Sequence, residues 1–234
     1  MDVNGVNVRK LTHSLKHYQQ RHNWDCGLSC VLMALQEPQR AEILQDMTHI
    51  IHEEGFEQST WTIDLCYLLK RFGLDFHYTT ITLGVDPGYS SQRFYTKLLH
   101  KDESRVQKRF NNAEVNRISV EERSCDMTEI IRHLAHKGPC IVLTNANLLR
   151  CEVRHRQVTH CRGHLSECFT RTLRKTYQGH YVILVGFDLD RQKIIYRNPT
   201  FRDRECEMSL DCWNCLKKPE NGLWDRRRRH FYPS

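Results

Sequence analysis

No stretch of this 234-residue chain approaches the roughly 18–20 consecutive apolar residues that a membrane-spanning helix needs. The opening Met1-Asp2-Val3-Asn4-Gly5-Val6 has no apolar segment behind a basic cluster, so no secretory leader is expected. Internal repeats and long Pro/Gly/Ser linkers are missing as well, which argues against an array or a beads-on-a-string protein. There is no Gly-x-x-x-x-Gly-Lys-[Ser/Thr] loop to cradle phosphates. Nor is there a recognisable carboxylate pair of the kind that two-metal phosphoryl chemistry uses. These absences together point to a protein of the cytosol, or of the nucleus, without a membrane anchor.

Cysteine is plentiful. The eleven cysteines are odd in number and scattered, so reduced thiols are expected rather than a disulfide framework. Hydrophobic residues make up 39% and aromatics 9% of the chain, enough for one full core, and residues 1–234 are expected to form a single domain. The formal charge of +7 is concentrated near the end, where Arg226-Arg227-Arg228-Arg229 supplies more than half of the excess. Residues 212–234 therefore read as a divergent, solvated basic tail, not as a nucleic-acid stripe; a protein partner is left open and no nucleic acid is expected.

Periodicity places helices first and strands last. Residues 27–35 read as a buried helix that stops before Pro38, and residues 41–52 carry apolar positions at helical spacing. A third helix starts after Ser59 or Thr60 as cap and ends at Gly73. Phe76–Thr82 alternates as a strand, residues 92–112 form a charged amphipathic helix, and Ile118–Val120 is a short strand candidate. Asp126 caps a helix over Met127–His136, and Cys140–Thr144 is a buried strand. Residues 180–187 and 193–197 form a strand pair joined by a short hairpin turn. The expected fold is α+β, with N-terminal helices packed on a C-terminal antiparallel sheet.

The chemistry concentrates in three places. Cys26 opens the first helix, six residues after Gln20 in Gln20-Arg21-His22-Asn23-Trp24-Asp25-Cys26-Gly27. A thiol at a helix start meets unpaired N–H groups and the positive end of the dipole, which favour a thiolate. Gln20 would add a second donor to the Cys26 N–H for a developing oxyanion. His180 opens a strand in Gly179-His180-Tyr181, and Asn198-Pro199 ends the next one. In this order Cys26 is the nucleophile, His180 the acid and base, and Asn198 the group that orients the imidazole, as in triad chemistry. Asp188 competes for the orienting role but ends the His180 strand, a strand's length away. Taken singly, a cysteine at a helix start is usually a small buried hydrophobe and Asn-Pro an ordinary turn signal. Cys30, one turn on, reads as core, with a resolving thiol as the lesser alternative. Trp24 and Asp25 either line a cleft or set the helix entry, and His22 is expected in solvent.

The stretches His22–Leu28, Trp61-Thr62-Ile63-Asp64-Leu65, Thr82–Tyr89 and Gln178-Gly179-His180-Tyr181 resemble the eukaryotic guanylyl cyclase domain-containing protein family over roughly residues 15–210. The pattern of Gln20, Asp25-Cys26-Gly27, Gly179-His180 and Asn198-Pro199 also resembles the bacteriocin-processing cysteine peptidases, a papain-like group in which an aspartate usually stands at the Asn198 place. The second resemblance implies a papain-like cysteine peptidase fold and hydrolysis of an amide, thioester or peptide-like bond, with no cofactor. The first implies conversion of GTP to cyclic GMP, with the short cyclase-like signature beginning at Arg71-Phe72-Gly73-Leu74; a helix end capped by Gly73 is the preferred reading of those residues. The basic residue expected soon after that signature is missing from Asp75–Gln92. A non-catalytic interaction module on a retained peptidase fold is the third class. Relatives close with a hydrophobic strand, which this chain is expected to lack, leaving a sheet edge exposed. Cys151, Cys161, His164 and Cys168 have no common zinc-module spacing, so no metal is assigned to them.

Overall fold

The computed structural model describes residues 5–56, 59–85, 93–149, 151–152, 178–215 and 229–233. Among them the helices are α1 (Cys26–Ala34), α2 (Glu37–Gln45), α3 (Met47–Glu54), α4 (Thr62–Arg71), α5 (Arg93–Asn111), α6 (Met127–His136) and α7 (Leu210–Cys215). The strands are β1 (Lys10–Thr12), β2 (Phe76–Thr80), β3 (Val120–Glu122), β4 (Cys140–Asn145), β5 (Gly179–Asp188), β6 (Lys193–Arg197), β7 (Glu205–Ser209) and β8 (Arg229–Pro233). They form one sheet in the order β3-β2-β8-β4-β5-β6-β7, antiparallel except for the parallel β2–β3 pair. The architecture is α+β. No helix among the described residues is long and apolar enough to cross a membrane.

Strand β5 is the axis of the fold. Its residues from His180 to Asp188 are all buried, because both faces of the sheet are covered. Tyr181, Ile183 and Val185 join α1 and α4 in one core, while Val182, Leu184 and Phe187 join α6, β6 and β7 in another. The change of parity between Val185 and Phe187 follows from a register shift between Leu184 and Gly186. Such an extra residue redirects the strand. Past it, β1 takes over from β4 along the same edge of β5, with Leu11 opposite Phe187 and Thr12 opposite Gly186. Only glycine fits there: a Cβ on Gly186 would stand 2.1 Å from the Leu11 carbonyl oxygen.

Several boundaries follow sequence logic. The Asp126 side chain accepts from Glu129 N–H at 2.7 Å and opens α6 at Met127. Others differ. The expected 41–52 helix is two helices: α2 begins early, at Glu37, with Pro38 in its first turn, and Asp46 separates α2 from α3. Proline is tolerated there because the first N–H groups of a helix have no intrahelical acceptor. Ser59 and Thr60 do not cap α4. Trp61 precedes it, its N–H donating to Asp64 Oδ2 at 2.9 Å, while Ser59 Oγ donates to Asp102 and Thr60 Oγ1 to the Trp24 carbonyl. Asp64 is fully buried and ties α4 to α5 through Arg105 at 2.5 Å and Arg109 at 2.9 Å.

The expected loss of the closing strand is overturned: β8 lies inside the sheet, pairing with β2 over Arg229–Pro233 and with β4 at Phe231 and His230. The last arginine of the basic run thus begins a strand, and β2 is not left as an edge. Strand β7 and helix α7, which no clear alternation marked, extend the other side of the sheet.

Gly186→Ala is expected to destabilise the protein by about 3 kcal/mol, because β1 must leave β5 or β5 must bend. Denaturant unfolding measures it, and a variant of wild-type stability would show that the β1–β5 contact is dispensable.

Candidate functional site

The site is assembled by three segments that meet over one end of β5. The first is the turn before α1. The Asp25 carboxylate accepts from the backbone N–H groups of Arg21 and His22, both at 3.0 Å, and its carbonyl accepts from Ser29 N–H at 2.8 Å. Asp25 therefore folds the 21–25 turn back on itself and sets the entry of α1, which settles its two alternatives in favour of the helix entry. His22 is exposed, and its ring stacks parallel on Trp24 with centroids 5.6 Å apart.

Cys26 is the first residue of α1 and is 6% exposed. Its neighbour Gly27 makes the approach to β5 possible: a Cβ there would lie 3.0 Å from both Leu65 Cδ1 and Tyr181 Cδ2. With hydrogen in that place, the Cys26 thiol accepts from the backbone N–H of Tyr181, the residue after His180, and from Gly27 N–H. These donors favour a thiolate, but burial outweighs them and, with Asp25 nearby, pushes the thiol up to about 11. The helix-start argument for a low-pKa thiol is corrected here: the N–H donors are present, and loss of water wins. Cys30 is fully buried, its thiol pushed well up by burial, in keeping with a core role. Cys26, Cys30, Cys66, Cys125, Cys140, Cys151, Cys206 and Cys212 are free thiols.

His180, on β5, is 8% exposed, and its carbonyl accepts from Thr144 Oγ1 on β4 at 2.9 Å. Burial lowers its pKa, partly countered by Asn198. Its Nε2 lies 2.8 Å from Asn198 Oδ1, just past the end of β6. Asp188 stands at the opposite end of β5, eight residues or roughly 26 Å away along the strand. There it pairs with Lys10 at 3.3 Å and accepts from Arg191 N–H at 2.9 Å. Asn198, not Asp188, is therefore the side chain at the imidazole.

Gln20 reaches the same place through the backbone. Its N–H donates to the Pro199 carbonyl at 2.9 Å, and its side-chain nitrogen donates to the His22 carbonyl at 2.8 Å. Its side-chain oxygen accepts from Thr200 Oγ1 at 3.1 Å. Thr200, which follows Asn198-Pro199, also sends its N–H to Asn198 Oδ1 at 3.0 Å and places its hydroxyl 3.4 Å from His180 Nε2. Sequence reading missed Thr200, whose only signal was its place after Asn-Pro. The structure thus joins His180 directly to Asn198, joins Gln20 to both through Thr200, and lays Cys26 against the residue following His180.

The other sequence candidates divide. Gly73 lies in the left-handed region at φ 71°, with Gly73 N–H bonded to Lys70 O and Leu74 N–H to Leu69 O, the closure that ends α4. Arg71 is held by Glu53 at 2.7 Å. Those residues build a helix terminus. Of the cysteine- and histidine-rich stretch, Cys151 is described and residues 153–177, with Cys161, His164 and Cys168, lie outside the described residues, as do residues 86–92 and 216–228. Among the described residues no group of three or more His, Cys, Asp and Glu is placed to hold a metal ion.

With the geometry in hand, two comparisons bear on the chain. A family model described as guanylylate cyclase matches residues 15–219. The protein "Guanylyl cyclase 1" of Arabidopsis thaliana is 32% identical over 206 residues, covering 86% of this chain and 70% of its own. Both names match the cyclase alternative better than the hydrolase reading.

Burial holds both the Cys26 thiol and the His180 imidazole neutral, and this fixes a pH response. The unfolded imidazole takes up a proton first, near 6.5, so stability falls as the pH drops below that value. The unfolded thiol ionises near 9.0 while the folded one keeps its proton to about 11, so stability also falls as the pH rises through that window. The Cys26 share of the alkaline loss is up to roughly 3 kcal/mol. Denaturant midpoints from pH 5 to 11 (about the range these groups span) should show a maximum near neutrality. Cys26→Ala should flatten the alkaline limb, and an unchanged limb would contradict the assignment.

Proposed function

This chain belongs to the guanylylate cyclase family, and we propose from that membership that it converts GTP to cyclic GMP. The observation that carries this reading is the 206-residue match to a relative bearing that activity in its name. The chemistry is attack of the ribose 3′-hydroxyl on the α-phosphorus with release of pyrophosphate. A divalent metal ion commonly serves such phosphoryl transfer by neutralising developing charge. The described residues do not supply a ligand set for one, so no step is assigned through a metal.

The geometry favours a second reading, a cysteine hydrolase of papain-like arrangement acting on an amide, thioester or peptide-like bond. The observations behind it are the 2.8 Å contact of His180 Nε2 with Asn198 Oδ1 and a helix-opening Cys26 thiol that touches the N–H of Tyr181, the residue after His180. Because both groups rest neutral, the thiol loses its proton during attack. His180 takes that proton as Cys26 sulfur bonds to the carbonyl carbon. The oxyanion receives the Cys26 N–H and one N–H of Gln20. The imidazolium then protonates the leaving group, and water hydrolyses the thioester, regenerating the thiol. In this reading the fold is papain-like and Cys26, His180, Asn198 and Gln20 carry the reaction.

One set of measurements separates the readings. Cyclase activity is expected as cyclic GMP formed from GTP with Mg²⁺ or Mn²⁺, surviving Cys26→Ala; no product above a heat-killed control ends that reading. Thiol chemistry is expected as formation of an acyl adduct at Cys26 from activated esters, lost in Cys26→Ala and slowed about 10²–10³-fold in Gln20→Ala. Labelling no faster than at the other cysteines ends it. Failure of both, with protein binding unaffected by Cys26→Ala, favours the interaction module.

A further inference from the structure

The orientation of an asparagine or glutamine amide and the tautomer of a histidine are normally undetermined from heavy atoms alone. Here two backbone groups, the Thr200 N–H and the His22 carbonyl, resolve all three. A backbone N–H can only donate, so the Thr200 N–H at 3.0 Å requires its partner on Asn198 to be the oxygen. That same oxygen lies 2.8 Å from His180 Nε2 and offers only lone pairs, so Nε2 carries the ring proton. The other nitrogen, Nδ1, is then the basic one. The argument extends to the glutamine. The Gln20 nitrogen is committed to the His22 carbonyl, which only accepts, so its oxygen faces Thr200 and receives the hydroxyl proton. With its proton given to Gln20, the Thr200 oxygen presents lone pairs to His180 Nε2 at 3.4 Å, a second acceptor for the same N–H.

We infer that Thr200 is a positioning residue that clamps the site from both sides. Its N–H fixes the Asn198 amide and through it the His180 tautomer, and its hydroxyl holds the oxygen of the Gln20 amide, whose nitrogen the His22 carbonyl receives. The consequence for catalysis rests on the thiol reading of the site: the clamp presents a base at Nδ1 and a donor at Gln20 together. The clamp itself is a property of the folded chain and is measured without turnover.

The experiment is ¹⁵N-resolved NMR of the full chain at neutral pH, on wild type, Thr200→Val and Thr200→Ser, with thermal melts to establish folding. In wild type, His180 is expected as the neutral Nε2–H tautomer, with the Gln20 side-chain amide protons protected from solvent exchange. Thr200→Val keeps the backbone N–H, so the Nε2–H tautomer persists, while Gln20 protection falls at least tenfold. Thr200→Ser restores it. A wild-type Nδ1–H tautomer overturns the inference, as does Gln20 protection that is unchanged in a folded Thr200→Val protein. If that variant does not fold, Thr200→Ala gives the same comparison, and the wild-type tautomer alone still decides the first half. The expected spectra together with an unreactive Cys26 would sustain the clamp and sink the thiol reading, so the two failures are distinct.

Discussion

Gly27 allows the first turn of α1 to lie directly on β5, and most of the molecule's organisation depends on that contact. One added carbon would press on Leu65 of α4 and Tyr181 of β5 together, so three elements meet where a side chain is missing. The Tyr181 hydroxyl, 2.8 Å from Thr62 Oγ1, ties the same strand to the start of α4. Buried Asp64, with Arg105 and Arg109, then carries the constraint outward to α5. Removing one partner from such a buried network is costly because the remaining charge has no water to turn to. The helical half is thereby pinned to the strand that bears His180.

The same closeness governs the electrostatics. A thiol brought against the strand loses its water and gains only N–H dipoles, so its proton stays on. The imidazole, equally buried and facing an amide in place of a carboxylate, is also held neutral. An aspartate at position 198 would offer a charge to stabilise an imidazolium; the asparagine offers orientation without charge. Any thiol chemistry here transfers the proton as the bond forms. The family relation meanwhile concerns nucleotide cyclisation, and the described residues do not place a phosphate loop or a metal ligand set beside this centre.

Much of the fold was legible locally. Asp126 and the apolar spacing behind it mark α6 to the residue, and the hairpin between β5 and β6 follows from two apolar runs and a short polar turn. The failures are equally physical. Pro38 reads as a stop signal, yet it sits in the first turn of α2, where its missing N–H costs nothing. Strand β8 begins on the last residue of an arginine run that reads as solvated, and only pairing with β2 and β4 gives it a place. Ser59 and Thr60 look like caps but spend their hydroxyls on Asp102 and the Trp24 carbonyl, partners that local sequence does not reveal.

For the site, the sequence by itself determined the reacting types and their order: an amide ahead of a helix-opening thiol, an imidazole starting a strand, an amide ending the next. Hairpin pairing alone puts Asn198 near His180 and Asp188 at the far end, so that choice too was readable. Tertiary structure decided three things. It brought Cys26 to the backbone of Tyr181 across 155 positions of sequence. It reversed the expected acidity of the thiol, because burial depends on what packs against a residue and not on its neighbours in the chain. It also made Thr200 the junction of the site, since three hydrogen bonds from one residue to Gln20, Asn198 and His180 exist only once distant segments have met.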